Sequence, residues 1–157
     1  MLLIRALIAF LALPAVLGGL VPWLLLPNDR WRTRGTSFGW ALLALGAGIL
    51  LSCVRDFYVT GRGTLAPWDP PKRLVIVGLY RFMRNPMYVG VLGFVAACSL
   101  LTGSPLLAAY TFGLWIAFHL RVVLYEEPVL ARQFPDDWAH YRSAVNRWLP
   151  KLWLPPA

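Results

Sequence analysis

Residues 86–128 read PMYVGVLGFVAACSLLTGSPLLAAYTFGLWIAFHLRVVLYEEP. Two apolar runs lie here back to back, Met87 to Gly103 and Pro105 to Leu124, joined only through Thr102-Gly103-Ser104. Each falls near the roughly 17–25 residues that a helix needs to cross a hydrocarbon core. So short a turn makes the two helices antiparallel, and Arg84 ahead of the first then belongs at the same level as Glu127 after the second. Two further apolar runs lie upstream, Leu2 to Leu26 and Phe38 to Val54. The pattern predicts an all-α membrane protein of about four transmembrane helices. Composition points the same way: 59% of the 157 residues are hydrophobic and 14% charged, against about 25% charged in a soluble domain. An aromatic content of 14% argues against disorder, and the first run extends past the length of a signal core without a small-residue cleavage site. Cys53 and Cys98 sit inside apolar runs and read as small buried hydrophobes, with no disulfide framework or metal cluster implied.

The net charge of +8 comes from thirteen Arg and two Lys against seven acidic residues. With four crossings, the N-terminus, the Arg55 to Pro86 connection and the C-terminal segment share one side. That side carries twelve of the fifteen basic residues and leaves only Arg30, Arg32 and Arg34 opposite. The asymmetry predicts a multi-pass protein of the inner (cytoplasmic) membrane with both termini in the cytoplasm. Topology and contact with anionic membrane lipids account for the charge, so no nucleic-acid partner is implied.

The chain divides into an N-terminal two-helix hairpin, residues 1–60, and a second part, residues 61–157. Pro14, Gly18, Gly19 and Pro22 predict a kink in the first helix, with Trp23 and Trp31 near an interface. Asn28 to Ser37 is a short polar turn. The stretch Gly61 to Pro71 is too rich in glycine and proline for regular helix, and so long a connection usually signals function. No internal repeat is visible. After Pro135 the positions of Trp138, Tyr141 and Val145 predict a short amphipathic helix, with Asp136 and Asp137 in its first turn where carboxylates suit the helix dipole. Trp148, Trp153 and the prolines Pro150, Pro155 and Pro156 then suit an irregular tail at headgroup depth.

Two groups of polar residues stand at membrane depth. His119, Arg121, Glu126 and Glu127 close the fourth apolar run. On a regular helix His119, Val123 and Glu126 share one face while Arg121 and Tyr125 share another. Pro128 predicts a helix break at Glu127. Adjacent carboxylates there need a cation, and an ordinary polar helix end with Arg partners reads equally well. The second group precedes the third run: Gly78-Leu79-Tyr80-Arg81-Phe82-Met83-Arg84-Asn85-Pro86-Met87-Tyr88-Val89-Gly90. Pro86 suits a first helical turn, which sets Arg84 and Asn85 at an N-terminus favourable to anions, and Gly78 permits close backbone approach. A positively charged helix cap is the plainer account of the same residues.

The run Leu74 to Tyr80, then Arg84 to Gly90, then Tyr125-Glu126-Glu127-Pro128, then Phe134 through Tyr141 to Arg147-Trp148-Leu149-Pro150, strongly resembles the isoprenylcysteine carboxyl methyltransferase family and its phospholipid methyltransferase relatives. The resemblance covers about Gly61 to Lys151. It implies an integral membrane enzyme that uses S-adenosylmethionine, held near the cytoplasmic face by the third and fourth helices with the C-terminal helix packed over the site. By the same resemblance Gly78, Tyr80, Arg84, Asn85, Pro86, Tyr88, Glu126 and Glu127 line the cofactor site. Three positions depart from the family pattern: Asn85 where eukaryotic members have His, Pro135 where Gly commonly follows Phe, and Asn146 in place of Pro.

Methyl transfer from a sulfonium needs no metal and no covalent enzyme intermediate; the protein must orient donor and nucleophile and exclude water. Glu126 or Glu127 suits the cofactor's amino group, and Arg84 with the amides of the third helix suits its carboxylate. Tyr80 and Tyr88 are candidates for the sulfonium or the adenine. His119, Arg121 and Glu127 are the candidate catalytic groups. A carboxylate acceptor calls for Arg121 as its cationic partner, an amine acceptor for His119 or a glutamate as proton sink. The acceptor is read as lipophilic, an isoprenoid or lipid carboxylate or an amine. Two other classes stay open: an NADPH-dependent membrane reductase similar to the C-terminal half of sterol reductases, and a small non-enzymatic transport or assembly protein.

Overall fold

A computed structural model describes residues 11–26, 36–60, 74 and 76–151. The readings of Arg5, Trp31, the body of the Asn28 to Ser37 turn, the Gly61 to Pro71 stretch and Trp153 lie outside the described residues. Those described contain helices and turns and no strand; their one β-type contact is an isolated parallel bridge between Met83 and Asn146.

A π-helical stretch, Leu11–Leu20, runs into α1, Val21–Leu25. Pro22 has no N–H to give the Leu17 carbonyl five residues back, and that carbonyl instead accepts from the Tyr110 hydroxyl at 3.0 Å. The following helix, α2, spans Phe38–Thr60. It packs against α3, Pro86–Thr102, through facing glycines. A Cβ on Gly46 would come within 2.7 Å of the Phe94 nitrogen, and one on Gly90 within 3.0 Å of Ile49 and Leu50. Small residues are what let two apolar helices approach this closely.

Helix α3 turns into α4, Pro105–Arg121, across Gly103 and Ser104. Gly103 takes the left-handed conformation (φ 62°) that ends a helix. Ser104 then caps the next one, its Oγ accepting from the Leu107 N–H at 3.1 Å. The Ser99 hydroxyl closes the turn by donating to the Ser104 carbonyl at 2.8 Å. The antiparallel hairpin read from the sequence is therefore present. Val91, Val95, Leu114 and Phe118 form its core, with Leu17, Leu50, Tyr88, Tyr110 and Trp148 packed around them.

The chain does not break at Glu127. Helix α4 continues through a π-helical turn, Val122–Glu126, into α5, Glu127–Gln133, and Glu127 itself is helical (φ −62°, ψ −43°). Pro128 offers no N–H to the Leu124 carbonyl and its ring crowds that oxygen. The wider π turn, in which the Glu127 N–H reaches back to the Val122 carbonyl, takes up the misfit. The break comes at Phe134 (φ −136°, ψ 63°), ahead of α6, Pro135–Ala144.

In α6, Trp138, Tyr141 and Ala144 are buried, together with Val145 just beyond the helix. They pack on Leu74, Ile76 and Leu130, while Asp136, Asp137, His140 and Arg142 face outward. The segment after α6 is strapped across the turn ahead of α3. The Arg84 N–H donates to the Asn146 carbonyl and the Lys151 N–H to the Phe82 carbonyl, both at 2.9 Å.

Two helical segments, Phe38–Asp56 and Pro105–Gln133, are long and apolar enough to cross a membrane; Ala15–Leu25 and Pro86–Thr102 are shorter apolar helices. Only 17% and 22% of the residues in the most apolar windows of the two long segments are buried. The core helix of a soluble protein would be covered on most of its surface, whereas these present their apolar side chains outward.

Candidate functional site

The site forms where the Gly78 to Tyr88 stretch meets the π turn and the strap after α6. Gly78 opens a 3-10 turn, Gly78–Arg81, with φ at 54°. A side chain there would be strained by that backbone and would also run into the Asp56 carboxylate of α2. The turn half-buries Tyr80, whose phenol is pushed up by desolvation. Its carbonyl accepts from the Tyr141 hydroxyl at 2.6 Å, which ties the turn to α6.

Arg84 follows, and its guanidinium reaches Glu127. The Arg84 Nη1 donates to Glu127 Oε1 at 2.8 Å. Arg147, brought in by the strap, grips the same carboxylate with two hydrogen bonds, Nε to Oε1 at 2.7 Å and Nη2 to Oε2 at 2.9 Å. Only 10% of the Glu127 side chain is exposed. Burial lowers the Arg84 pKa from its usual value despite the opposing pull of Glu127, while the hydrogen bonds to Glu127 raise that of Arg147. Arg84 also lies over the Trp138 ring, 5.6 Å from its centroid. Asn85 holds the strap by donating its Nδ2 to the Arg147 carbonyl at 3.1 Å. Pro86, fully buried, begins α3.

Glu126 points to a different set. Its Oε1 accepts from the Tyr88 hydroxyl and, at 2.8 Å, from the Arg121 Nε, which also contacts the Tyr88 oxygen at 3.1 Å. On a regular α-helix residues five apart diverge, so Arg121 and Glu126 belong to separate faces. The π turn overturns that expectation, because its wider spiral brings i and i+5 together. Tyr88 is fixed by stacking on Phe118 at 4.3 Å. The Arg121 and Glu126 side chains, 35% and 29% exposed, are more open than the Glu127 set.

His119 lies apart from both carboxylates. Its Nδ1 accepts from the Trp148 Nε1 at 3.2 Å, and its ring stands between those of Trp115 and Trp148, at 5.9 and 6.1 Å. An imidazole that accepts at Nδ1 carries its proton on Nε2 when neutral. The fold thus joins Arg84, Asn85 and Glu127 in one network and Tyr88, Arg121 and Glu126 in a second. Gly78 and Tyr80 connect to the first through α6. Sequence reasoning placed Trp138 on the helix packed over the site and Arg147 in the C-terminal motif, but counted neither among the site residues. Arg147 stands 20 residues beyond its partner, across a chain reversal, and no helical or strand periodicity relates the two.

The donor set suits a zwitterionic amino acid end such as that of S-adenosylmethionine. Arg84 and Arg147 are two cations on a single carboxylate, so a second anionic group would find charge complementarity there, and the Glu127 carboxylate has the chemistry to accept from an ammonium. Two buried donors, Arg84 Nε and Trp138 Nε1, have no protein partner, which leaves hydrogen-bonding capacity at the same place. Among the described residues no group of His, Cys, Asp and Glu is arranged to hold a metal.

The phospholipid methyltransferase family model matches residues 35–137, about two thirds of the chain. Proteins named as probable protein-S-isoprenylcysteine O-methyltransferase from Oryza sativa subsp. indica and subsp. japonica are each 32% identical to it over 84 residues. That stretch is 53% of this chain and 44% of either relative, so the chain matches less than half the length of these curated proteins.

Proposed function

The chain belongs to the phospholipid methyltransferase family, and we propose that it moves a methyl group from S-adenosylmethionine to a lipophilic acceptor, as a multi-pass protein of the cytoplasmic membrane with its site on the cytoplasmic side. The observation that carries this reading is the meeting of two separated motifs on one carboxylate: Arg84 from the turn before α3 and Glu127 after α4, joined at 2.8 Å and locked by Arg147. When bound, the cofactor supplies an activated methyl on a sulfonium. Glu127 would take its amino group and Arg84 with Arg147 its carboxylate, so the two internal ion pairs of Glu127 would be exchanged for contacts to both ends of a zwitterion. Trp138, under Arg84, and the strap from Val145 to Lys151 keep water from the pair.

Tyr88 and Glu126, which the resemblance places with the cofactor, are assigned with Arg121 to the acceptor side, because that set is the more open. Arg121 there orients a carboxylate nucleophile, which needs no deprotonation. An amine nucleophile instead needs a proton sink, and Glu126 is the carboxylate in place for it. His119, with Nδ1 engaged by Trp148, presents Nε2–H as a donor. Nothing in this scheme asks for a metal.

Calorimetry on the detergent-purified chain tests it, with S-adenosylhomocysteine and NADPH as probes. S-adenosylhomocysteine should bind and NADPH should not. Glu127→Gln and Arg84→Ala should each weaken S-adenosylhomocysteine binding by roughly 2–5 kcal/mol, since a buried ligand charge loses its partner. Wild-type affinity in both variants would remove these residues from the cofactor site.

A further inference from the structure

The strap from Val145 to Lys151 is irregular, so the direction of each side chain on it is set by what holds it and not by a helical repeat. The turn ahead of α3 holds one edge. There the Arg84 N–H donates to the Asn146 carbonyl, the Asn85 Nδ2 to the Arg147 carbonyl and the Lys151 N–H to the Phe82 carbonyl. On the other side α4 holds the strap at Trp148, whose Nε1 donates to His119 Nδ1 at 3.2 Å, with the two rings stacked 6.1 Å apart. Next to Trp148 is Arg147, with its two hydrogen bonds to Glu127 at 2.7 and 2.9 Å.

An indole nitrogen donates and never accepts, so Trp148 needs an acceptor at this place. A neutral imidazole has one acceptor nitrogen and one donor nitrogen, and in His119 the acceptor is spent on Trp148. The ring therefore has no lone pair left to take a proton from a nucleophile. A proton arriving at Nδ1 would set two donors against each other and release the indole. What Nδ1 does in this arrangement is hold Trp148.

We propose that His119 is a positioning residue for the Glu127 site: its Nδ1 fixes Trp148, and Trp148 fixes the direction from which Arg147 reaches Glu127. His119 and Glu127 stand on one continuous helical run, α4 through the π turn into α5. Two neighbouring strap residues thus dock on a single body at two points, Trp148 on His119 and Arg147 on Glu127. A segment held at one point pivots about it; the second point fixes its orientation. That the guanidinium so aimed meets a cofactor rests on the methyltransferase reading, whereas the hold on the strap rests on the hydrogen bond between His119 and Trp148.

The test uses the full chain in detergent and two substitutions that separate the acceptor from the ring. His119→Asn places an amide oxygen near the position of Nδ1 and nothing at that of Nε2; His119→Phe keeps a ring without an acceptor. His119→Phe should weaken S-adenosylhomocysteine binding about tenfold, the order of one partly buried hydrogen bond, and His119→Asn should stay within about twofold of the wild type. Trp148→Phe should reproduce the His119→Phe loss, and the pair should lose no more than either alone. In an Arg147→Ala background His119→Phe should cost no further affinity, because the residue it aims is gone. Hydrogen exchange reads the strap without cofactor: the Arg84 and Lys151 amides should exchange about tenfold faster in His119→Phe and at the wild-type rate in His119→Asn. A loss of affinity in His119→Asn as large as in His119→Phe assigns the role to Nε2 and overturns the proposal. So does an equal His119→Phe loss with and without Arg147. The two readings fail separately. Faster exchange in His119→Phe, in a chain that does not bind S-adenosylhomocysteine, keeps the hold on the strap and removes the cofactor site; cofactor binding with exchange and affinity untouched by His119→Phe does the reverse.

Discussion

Glu126 and Glu127 are neighbours in the chain that serve two separate arginine sets, Glu126 with Arg121 and Tyr88, Glu127 with Arg84 and Arg147. Were they to share one site their charges would repel; apart, each is stabilised by its own cations. Gly78 shows a second kind of residue-level constraint, in which two costs fall on one position. Its φ of 54° disfavours any side chain, and the Asp56 carboxylate occupies the space a Cβ would take. Gly78→Ala should therefore destabilise the protein by roughly 2–4 kcal/mol, the backbone accounting for about 1–2 of this. In an Asp56→Ala background the same substitution should cost only the backbone part. Thermal unfolding of the four variants in detergent measures both terms, and an equal cost in the two backgrounds would show that Asp56 does not crowd the turn.

Among the elements, the π turn Val122–Glu126 sets the direction of everything after α4. One extra residue in the spiral pairs Arg121 with Glu126 and delivers Glu127 to Arg84, and Pro128 is the local reason a regular helix is unfavourable there. Deleting the exposed Leu124 removes the extra residue and leaves a regular helix with the downstream faces unchanged. Pro128 then sits in a helix interior against the carbonyl four residues back, a cost of about 3 kcal/mol. The deletion should thus lower the melting temperature in the native background and be tolerated when combined with Pro128→Ala. An equal melting-temperature loss in the two backgrounds would mean that packing of α5 and α6, not the proline, holds the π turn.

Across the whole molecule, the strap from Val145 to Lys151 and the hairpin α3–α4 bring every charged site residue to one end. The excess of basic residues on one side of the proposed crossings predicts that this end faces the cytoplasm. Reporter fusions at Ala157 and within residues 28–37 should give opposite signals, cytoplasmic at Ala157; a periplasmic signal at Ala157 would refute the orientation. The sequence by itself determined the helical segments, the hairpin at Gly103-Ser104, the common level of Arg84 and Glu127, and the resemblance that pointed to a methyltransferase. Those features rest on interactions within a few residues: apolar runs, a left-handed glycine, a serine cap, and a turn too short to allow anything but an antiparallel return. Only the tertiary structure decided which charge meets which. Arg147 joins Glu127, Trp148 joins His119 and Asn85 joins the Arg147 carbonyl across 20, 29 and 62 residues. Those partners follow from the chain reversal at Phe134 and the burial of Trp138 and Tyr141 against Leu74 and Ile76. Even the pairing of Arg121 with Glu126 escaped a helical wheel, because a π turn shifts the angular register by one residue and a wheel assumes that the register is regular.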